Sequence, residues 1–145
     1  MKAMILAAGR GERLRPLTDA TPKPLLEIAG ETLLGRHLER LARAGFTRAV
    51  INVSHLAERI TTRFGDGTRC GLGIDWSHEA EPLESAGGIA QARALLGPAP
   101  FLLLNADIYN RGALVPRKYA DACGRKRSQT IAPKRMACTS SSNGE

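Results

Sequence analysis

Cysteine is scarce: Cys70, Cys123 and Cys138 are an odd number with no C-x-x-C spacing, which argues against a disulfide framework and against a zinc site. Histidine is as rare, and His37, His55 and His78 fall at no ligand spacing; they read as a helix-surface, a helix-start and a loop residue. No apolar run approaches the ~20 residues of a membrane span, and no charged-then-apolar leader opens the chain. These absences predict a soluble, cytoplasmic protein without a membrane partner. Two familiar glycine motifs are missing as well. Neither Gly9 nor Gly11 begins a G-x-x-x-x-G-K-[ST] loop, and the third position of a dinucleotide fingerprint is filled by Leu14, with Pro16 close behind. Neither an ATPase of that type nor a dehydrogenase is supported.

The 145 residues, 43% of them apolar, suffice for one core. A net charge of +7 raises nucleic acid as a partner, but its distribution argues otherwise. Residues 1–109 carry 13 Lys/Arg against 12 Asp/Glu, and residues 110–145 carry 8 against 2. The basicity belongs to the tail. That tail shows no sustained period and ends in a Ser/Asn/Gly run, so it is expected to be disordered or non-native rather than part of the domain.

Residues 1–24 organise the rest. The apolar run Ala3 to Ala8 reads as a buried strand that ends in Gly9-Arg10-Gly11, followed by Arg13, Arg15 and Pro22-Lys23-Pro24. Glycines without Cβ allow positive φ and let several N–H groups face one anion. Arg13 and Arg15 add planar forks that suit phosphate oxygens, and Lys23 adds a point charge on a proline-stiffened segment. A lone G-x-G is more often a surface turn. Here the preceding strand and the following prolines favour a polyphosphate cradle.

Further along, a short connection over 25–29 and a turn at Gly30 lead to Thr32, which offers an N-cap to an amphipathic helix over 33–44 that Gly45 closes. A strand is predicted over 47–53, a helix over 56–64, a strand over 72–76, a polar loop over 79–85, a helix over 86–96 and an apolar strand over 101–104. Strands alternating with helices predict a doubly wound, Rossmann-like α/β sheet, mostly parallel, with helices on both faces and ligands at the carboxyl ends of the strands. The glycine loop and Asp107 both fall there. Asp107 reads either as a turn cap or as a carboxylate able to hold Mg²⁺ against phosphate oxygens. Glu81 and Glu84 read either as solvated loop acids or, for Glu81, as an acceptor for a base N–H, with the small residues from Ser85 to Gly88 letting the backbone approach the base edge closely.

The first stretch resembles the signature of the sugar nucleotidyltransferases, G-x-G-x-R-[LM]-x-P-[LM]-T followed by P-K-P, here Gly9, Gly11, Arg13, Leu14, Pro16, Leu17, Thr18 and Pro22-Lys23-Pro24. The resemblance implies transfer of a nucleotidyl group from a nucleoside triphosphate to a sugar 1-phosphate with release of pyrophosphate. It implies that Ala7 and Ala8 lie beside the nucleoside and that Gly9, Gly11 and Arg13 hold the triphosphate. It further implies that Lys23 meets the reacting phosphates, that Glu81 and Gly87 read the base, and that Asp107 ligates Mg²⁺. Arg15, at the variable position, is an electrostatic helper at most.

Where the family's loop runs E-P-L-G-T-A-G, residues 81–87 read E-P-L-E-S-A-G, similar to the branch that transfers uridylyl to N-acetylmuramate 1-phosphate in cell-wall recycling. Guanylyl transfer to mannose 1-phosphate is the alternative within the family. The resemblance covers residues 1–109 and implies a second acidic metal ligand and a sugar pocket that the tail does not display. A truncated product is therefore expected, with a non-catalytic nucleotide-binding fragment as the further alternative. An exposed sheet edge beside residues 101–104 would favour self-association.

Overall fold

The computed structural model describes residues 1–108; the expectations for the tail fall on residues outside that range. The first strand, β1 (Lys2–Leu6), is central because it is apolar on both sides, with Ala3, Met4 and Ile5 all fully buried. It leads through a 3₁₀ turn at Glu12–Leu14, a short helix α1 (Leu17–Ala20) and a second 3₁₀ turn at Lys23–Leu25. Gly30 is at a turn, as expected, but residues 25–29, expected to be a short connection, contain the first strand of a small hairpin. Strands β2 (Glu27–Ile28) and β3 (Glu31–Thr32) pair antiparallel around Ala29 and Gly30, whose φ values of 51° and 77° suit a tight two-residue turn.

Helix α2 (Leu33–Arg43) starts where expected. The Thr32 hydroxyl accepts from the Gly35 N–H at 3.1 Å, and Gly45 at φ 84° ends the segment. Its buried Leu34, Leu38 and Leu41 each contribute on the order of 1.5–3 kcal/mol by leaving water. Strand β4 (Arg48–Val53) and helix α3 (Ala57–Phe64) follow as predicted. Strand β5 (Gly73–His78) runs two residues further than the apolar pattern indicated, so His78 ends a strand rather than sitting in a loop. The helix expected over 86–96 is two pieces, α4 (Glu84–Gln91) and α5 (Arg93–Leu96), with Ala92 between them, before β6 (Phe101–Asn105).

The four long strands form one parallel sheet in the order β5-β4-β1-β6. Alternation along the strands divides the core. Ala3, Ile5, Ala49, Ile51 and Val53 face α2 and α3, while Met4 and Val50 face Ala92 and Leu96 beside α4 and α5. Helices thus cover both faces, as the alternating pattern predicted. In the described residues the chain runs outward from β1 to β4 and β5, then returns to place β6 on the other side of β1. The reversal between β1 and β6 leaves a crevice at their carboxyl ends, where open α/β sheets bind ligands.

Candidate active site

Strand β1 delivers Ala7 and Ala8, both buried, to the rim of this crevice, and the chain then turns through Gly9-Arg10-Gly11. The two glycines differ. Gly11 has φ 68°, and a Cβ there would lie 2.9 Å from Thr18 Cγ2 and 3.3 Å from Lys23 Cβ, whereas Gly9 is not left-handed and the space beside it is open. Positive φ, expected of both, is confined to Gly11. The buried Thr18 hydroxyl donates to the Gly11 carbonyl at 2.9 Å, so the signature threonine fastens the loop. Arg10 and Arg13 line the opening. Arg15 pairs with Asp19 at 3.3 Å and does not line it.

Across the crevice, the Ala106 N–H donates to the Leu6 carbonyl at 3.0 Å and extends the β1–β6 register by one step. That step carries Asp107 to the mouth. The Lys23 ammonium donates to Asp107 Oδ2 at 2.6 Å, joining residues 84 positions apart. The Lys23 hydrogen bond is the main reason that the Asp107 carboxyl is held below its ordinary range; partial burial opposes the shift, and the charges of Lys23 and Arg13 add to it. Among the described residues no group of three or more His, Cys, Asp or Glu side chains gathers as a metal cage. An exposed carboxylate beside the glycine–arginine loop could hold Mg²⁺, which takes one or two carboxylates and completes its shell with water and substrate oxygens.

The third wall is the segment from Glu79 to Gly88. Glu81 and Ser85 line the crevice, and so does Glu84, which carries φ 57° where the family pattern has glycine. Gly87 is not part of the lining: a Cβ there would lie 2.7 Å from Leu83 Cβ, so its small size makes room for the helix's own first turn. Gly88 likewise faces inward, onto Asn52 and Glu79. The crevice encloses about 860 Å³ and sets Arg10, Arg13 and Lys23 on its glycine-loop side against Glu81 and Glu84 on the wall formed by residues 79–88.

Two buried residues at its base were not expected from the sequence. Asn52 and Glu79 are 2% and 5% exposed and hydrogen-bond each other at 2.7 Å. The only sequence signal was a polar residue inside the apolar run of β4. His37 also differs from expectation, being buried rather than on the helix surface. The Ala106 carbonyl accepts from its ring while Nδ1 has no partner, and burial holds the imidazole below its ordinary pKa.

An open, doubly wound parallel sheet with a glycine–arginine loop after its first strand and a carboxylate at the neighbouring strand end defines an α/β protein with a crevice at the switch point, where such sheets bind ligands. Sequence comparison narrows the class. The chain belongs to the nucleotidyl transferase family, whose pattern matches residues 2–134. It is 61% identical over 109 residues to the N-acetylmuramate alpha-1-phosphate uridylyltransferase of Neisseria meningitidis, covering 74% of this chain and 47% of that protein. It is 42% identical over 110 residues to the catalytic subunit beta of mannose-1-phosphate guanylyltransferase from Drosophila pseudoobscura, covering 74% of this chain and 30% of that protein. The fold is similar to that of HddC from Yersinia pseudotuberculosis, solved with GMP-PN, with a TM-score of 0.65 and 30% identity over 73% of this chain and 47% of that one. The chain thus spans about half the length of the Neisseria relative, or less of the Drosophila one. No helix among the described residues is long and apolar enough to cross a membrane.

Proposed function

We propose that the crevice binds a nucleoside triphosphate, UTP in preference, and serves nucleotidyl transfer to a sugar 1-phosphate, N-acetylmuramate 1-phosphate in preference. The observation that carries this reading is the meeting of Lys23 and Asp107 at 2.6 Å beside the Gly11 loop. It puts a cation for phosphate oxygens and a carboxylate for a metal at one point. In the reaction an oxygen of the sugar phosphate attacks the α-phosphorus, the bond from that phosphorus to the bridging oxygen breaks, and pyrophosphate leaves. Such chemistry needs alignment and charge neutralisation more than a nucleophilic side chain.

The loop amides at Gly9 and Gly11, with Arg13, hold the triphosphate; Lys23 leaves Asp107 for the phosphate oxygens; Ala7 and Ala8 flank the nucleoside. Glu81 accepts from a base N–H, and Gly87 serves the base only indirectly, through the packing of Leu83. Asp107 would hold Mg²⁺, which when bound neutralises phosphate charge. A triphosphate substrate places the protein in the cytoplasm, and the favoured acceptor places it in cell-wall recycling. Guanylyl transfer to mannose 1-phosphate is the second reading, because a carboxylate at position 81 also matches the N–H edge of guanine.

The test is pyrophosphate release by the full chain with UTP, Mg²⁺ and N-acetylmuramate 1-phosphate, against GTP with mannose 1-phosphate. The proposal predicts release with the first pair, lost in Lys23→Ala and Asp107→Ala. Release with the second pair alone favours guanylyl transfer. No release with either, in folded protein that binds UTP, leaves a non-catalytic nucleotide-binding chain.

A further inference from the structure

The base of the crevice contains a polar chain of contacts that phosphate binding and base reading do not use directly. Asn52 Oδ1 accepts from the Ala7 N–H at 2.8 Å, and Asn52 Nδ2 donates to Glu79 Oε1 at 2.7 Å. The other carboxylate oxygen of Glu79 accepts from the Leu83 N–H at 2.9 Å, and the Glu79 N–H donates to the Val53 carbonyl at 2.8 Å. Only this orientation of the Asn52 amide gives Ala7 an acceptor and Glu79 a donor. Gly88 closes over the pair, since a Cβ there would fall 2.6 Å from Asn52 Nδ2 and 2.7 Å from Glu79 Oε1. A carboxylate buried this deeply is costly unless its oxygens are hydrogen-bonded, and here both are, while Asn52 and Glu79 in turn supply the acceptors for the Ala7 and Leu83 N–H groups.

The chain of bonds runs from the first residue of the phosphate-loop turn to the segment that carries Glu81. We propose that Asn52 and Glu79 are positioning residues that fix the separation of the phosphate-binding and base-reading walls, so that a nucleotide spanning both binds as one unit. The inference rests on the nucleotide reading above. It assigns the pair no contact with the reacting atoms. Its consequence is specific: breaking the bridge removes the advantage of a whole nucleotide over its phosphate part and leaves the phosphate part bound as before.

The test is calorimetric titration of the full chain with UTP and with inorganic tripolyphosphate, both with Mg²⁺ at pH 8, for the wild type, Asn52→Asp, Glu79→Gln and the double variant. In Asn52→Asp two carboxylates face each other. In Glu79→Gln one of the two hydrogen bonds that Glu79 accepts is lost without a change of size. The double variant restores every pairing: the carboxylate introduced at position 52 accepts from the Ala7 N–H and from the amide introduced at position 79, and the oxygen of that amide accepts from the Leu83 N–H.

Each single variant is expected to bind UTP about tenfold more weakly, a coupling of the size found between directly hydrogen-bonded groups. Tripolyphosphate affinity is expected to stay within about twofold, and the double variant to recover most of the loss. If Asn52→Asp does not fold, Glu79→Gln and the double variant carry the comparison. UTP affinity unchanged in folded single variants overturns the bridge alone. So does a parallel fall for both ligands, or a folded double variant that stays weak. Binding of neither ligand by folded wild type overturns the nucleotide reading and the bridge with it.

Discussion

Replacing Gly11 by alanine meets two separate obstacles, and replacing Gly9 meets neither. At Gly11 the backbone has φ 68°, a conformation that costs an L-residue roughly 1–2 kcal/mol. The new Cβ would also lie 2.9 Å from Thr18 Cγ2 and 3.3 Å from Lys23 Cβ, and relief of such overpacking costs about 1–3 kcal/mol. Thr18 is buried and tied to the Gly11 carbonyl, so it has little freedom to retreat. The expected loss for Gly11→Ala is about 2–5 kcal/mol, or roughly 10–25 °C in melting temperature for a domain of this size. At Gly9 the backbone is outside the left-handed region and nothing lies within 4 Å of the added carbon. Gly9→Ala should leave stability unchanged or raise it by up to about 0.5 kcal/mol through the unfolded chain. It should nevertheless weaken UTP binding, because the methyl group enters the space a phosphate would occupy. Thermal unfolding followed by circular dichroism, with UTP titration of the same samples, checks both. A Gly11→Ala protein melting within about 2 °C of wild type would refute the steric argument.

Three further outcomes are expected. Glu84→Gly should raise stability by about 0.5–1 kcal/mol, the left-handed strain at φ 57° exceeding the entropy that glycine adds to the unfolded state; chemical denaturation reads this, and a loss instead would show that the Glu84 side chain is anchored. Thr32→Ala removes the acceptor for the Gly35 N–H at the start of α2 and should cost about 1 kcal/mol, with Thr32→Ser close to wild type in the same assay. Burial lowers the His37 pKa, so the unfolded state takes up a proton at higher pH than the folded state; stability should fall as pH drops below 6.5, the ordinary value. The matching shift at Asp107 acts only below its own ordinary value of 3.8, so it leaves that window clear. An equally steep decline in His37→Asn would assign the effect elsewhere.

What could be read from the chain followed the reach of each signal. The run from Ala3 to Ala8, the glycine loop and the Pro-Lys-Pro segment are local, and their chemistry survives as adjacent letters. The Thr32 cap and the leucine spacing of α2 are legible for the same reason. The meeting of Lys23 with Asp107 was approachable only because two strand ends were expected to share one edge of a sheet. Asn52 and Glu79 escaped because their partners are Ala7 and Leu83, backbone groups with no chemical signature of their own. Gly87 and Gly88 looked like room for a base, yet their missing Cβ atoms make room for Leu83 and for the Asn52–Glu79 pair. Smallness is visible in a sequence; which neighbour exploits it is not. His37 was misplaced because a lone polar residue on an amphipathic helix is usually solvated, and here the turn before Asp107 covers it.

The central claim is that the crevice between β1 and β6 is a triphosphate site in which Lys23 exchanges Asp107 for phosphate. Equilibrium binding of UTP with Mg²⁺ to the full chain, compared between wild type and Lys23→Ala, tests it most directly. Loss of one charge-assisted contact of about 1.5–3 kcal/mol predicts saturable binding by wild type and affinity at least about tenfold weaker in the variant. Equal affinity in two folded proteins, or no binding by either, would contradict it.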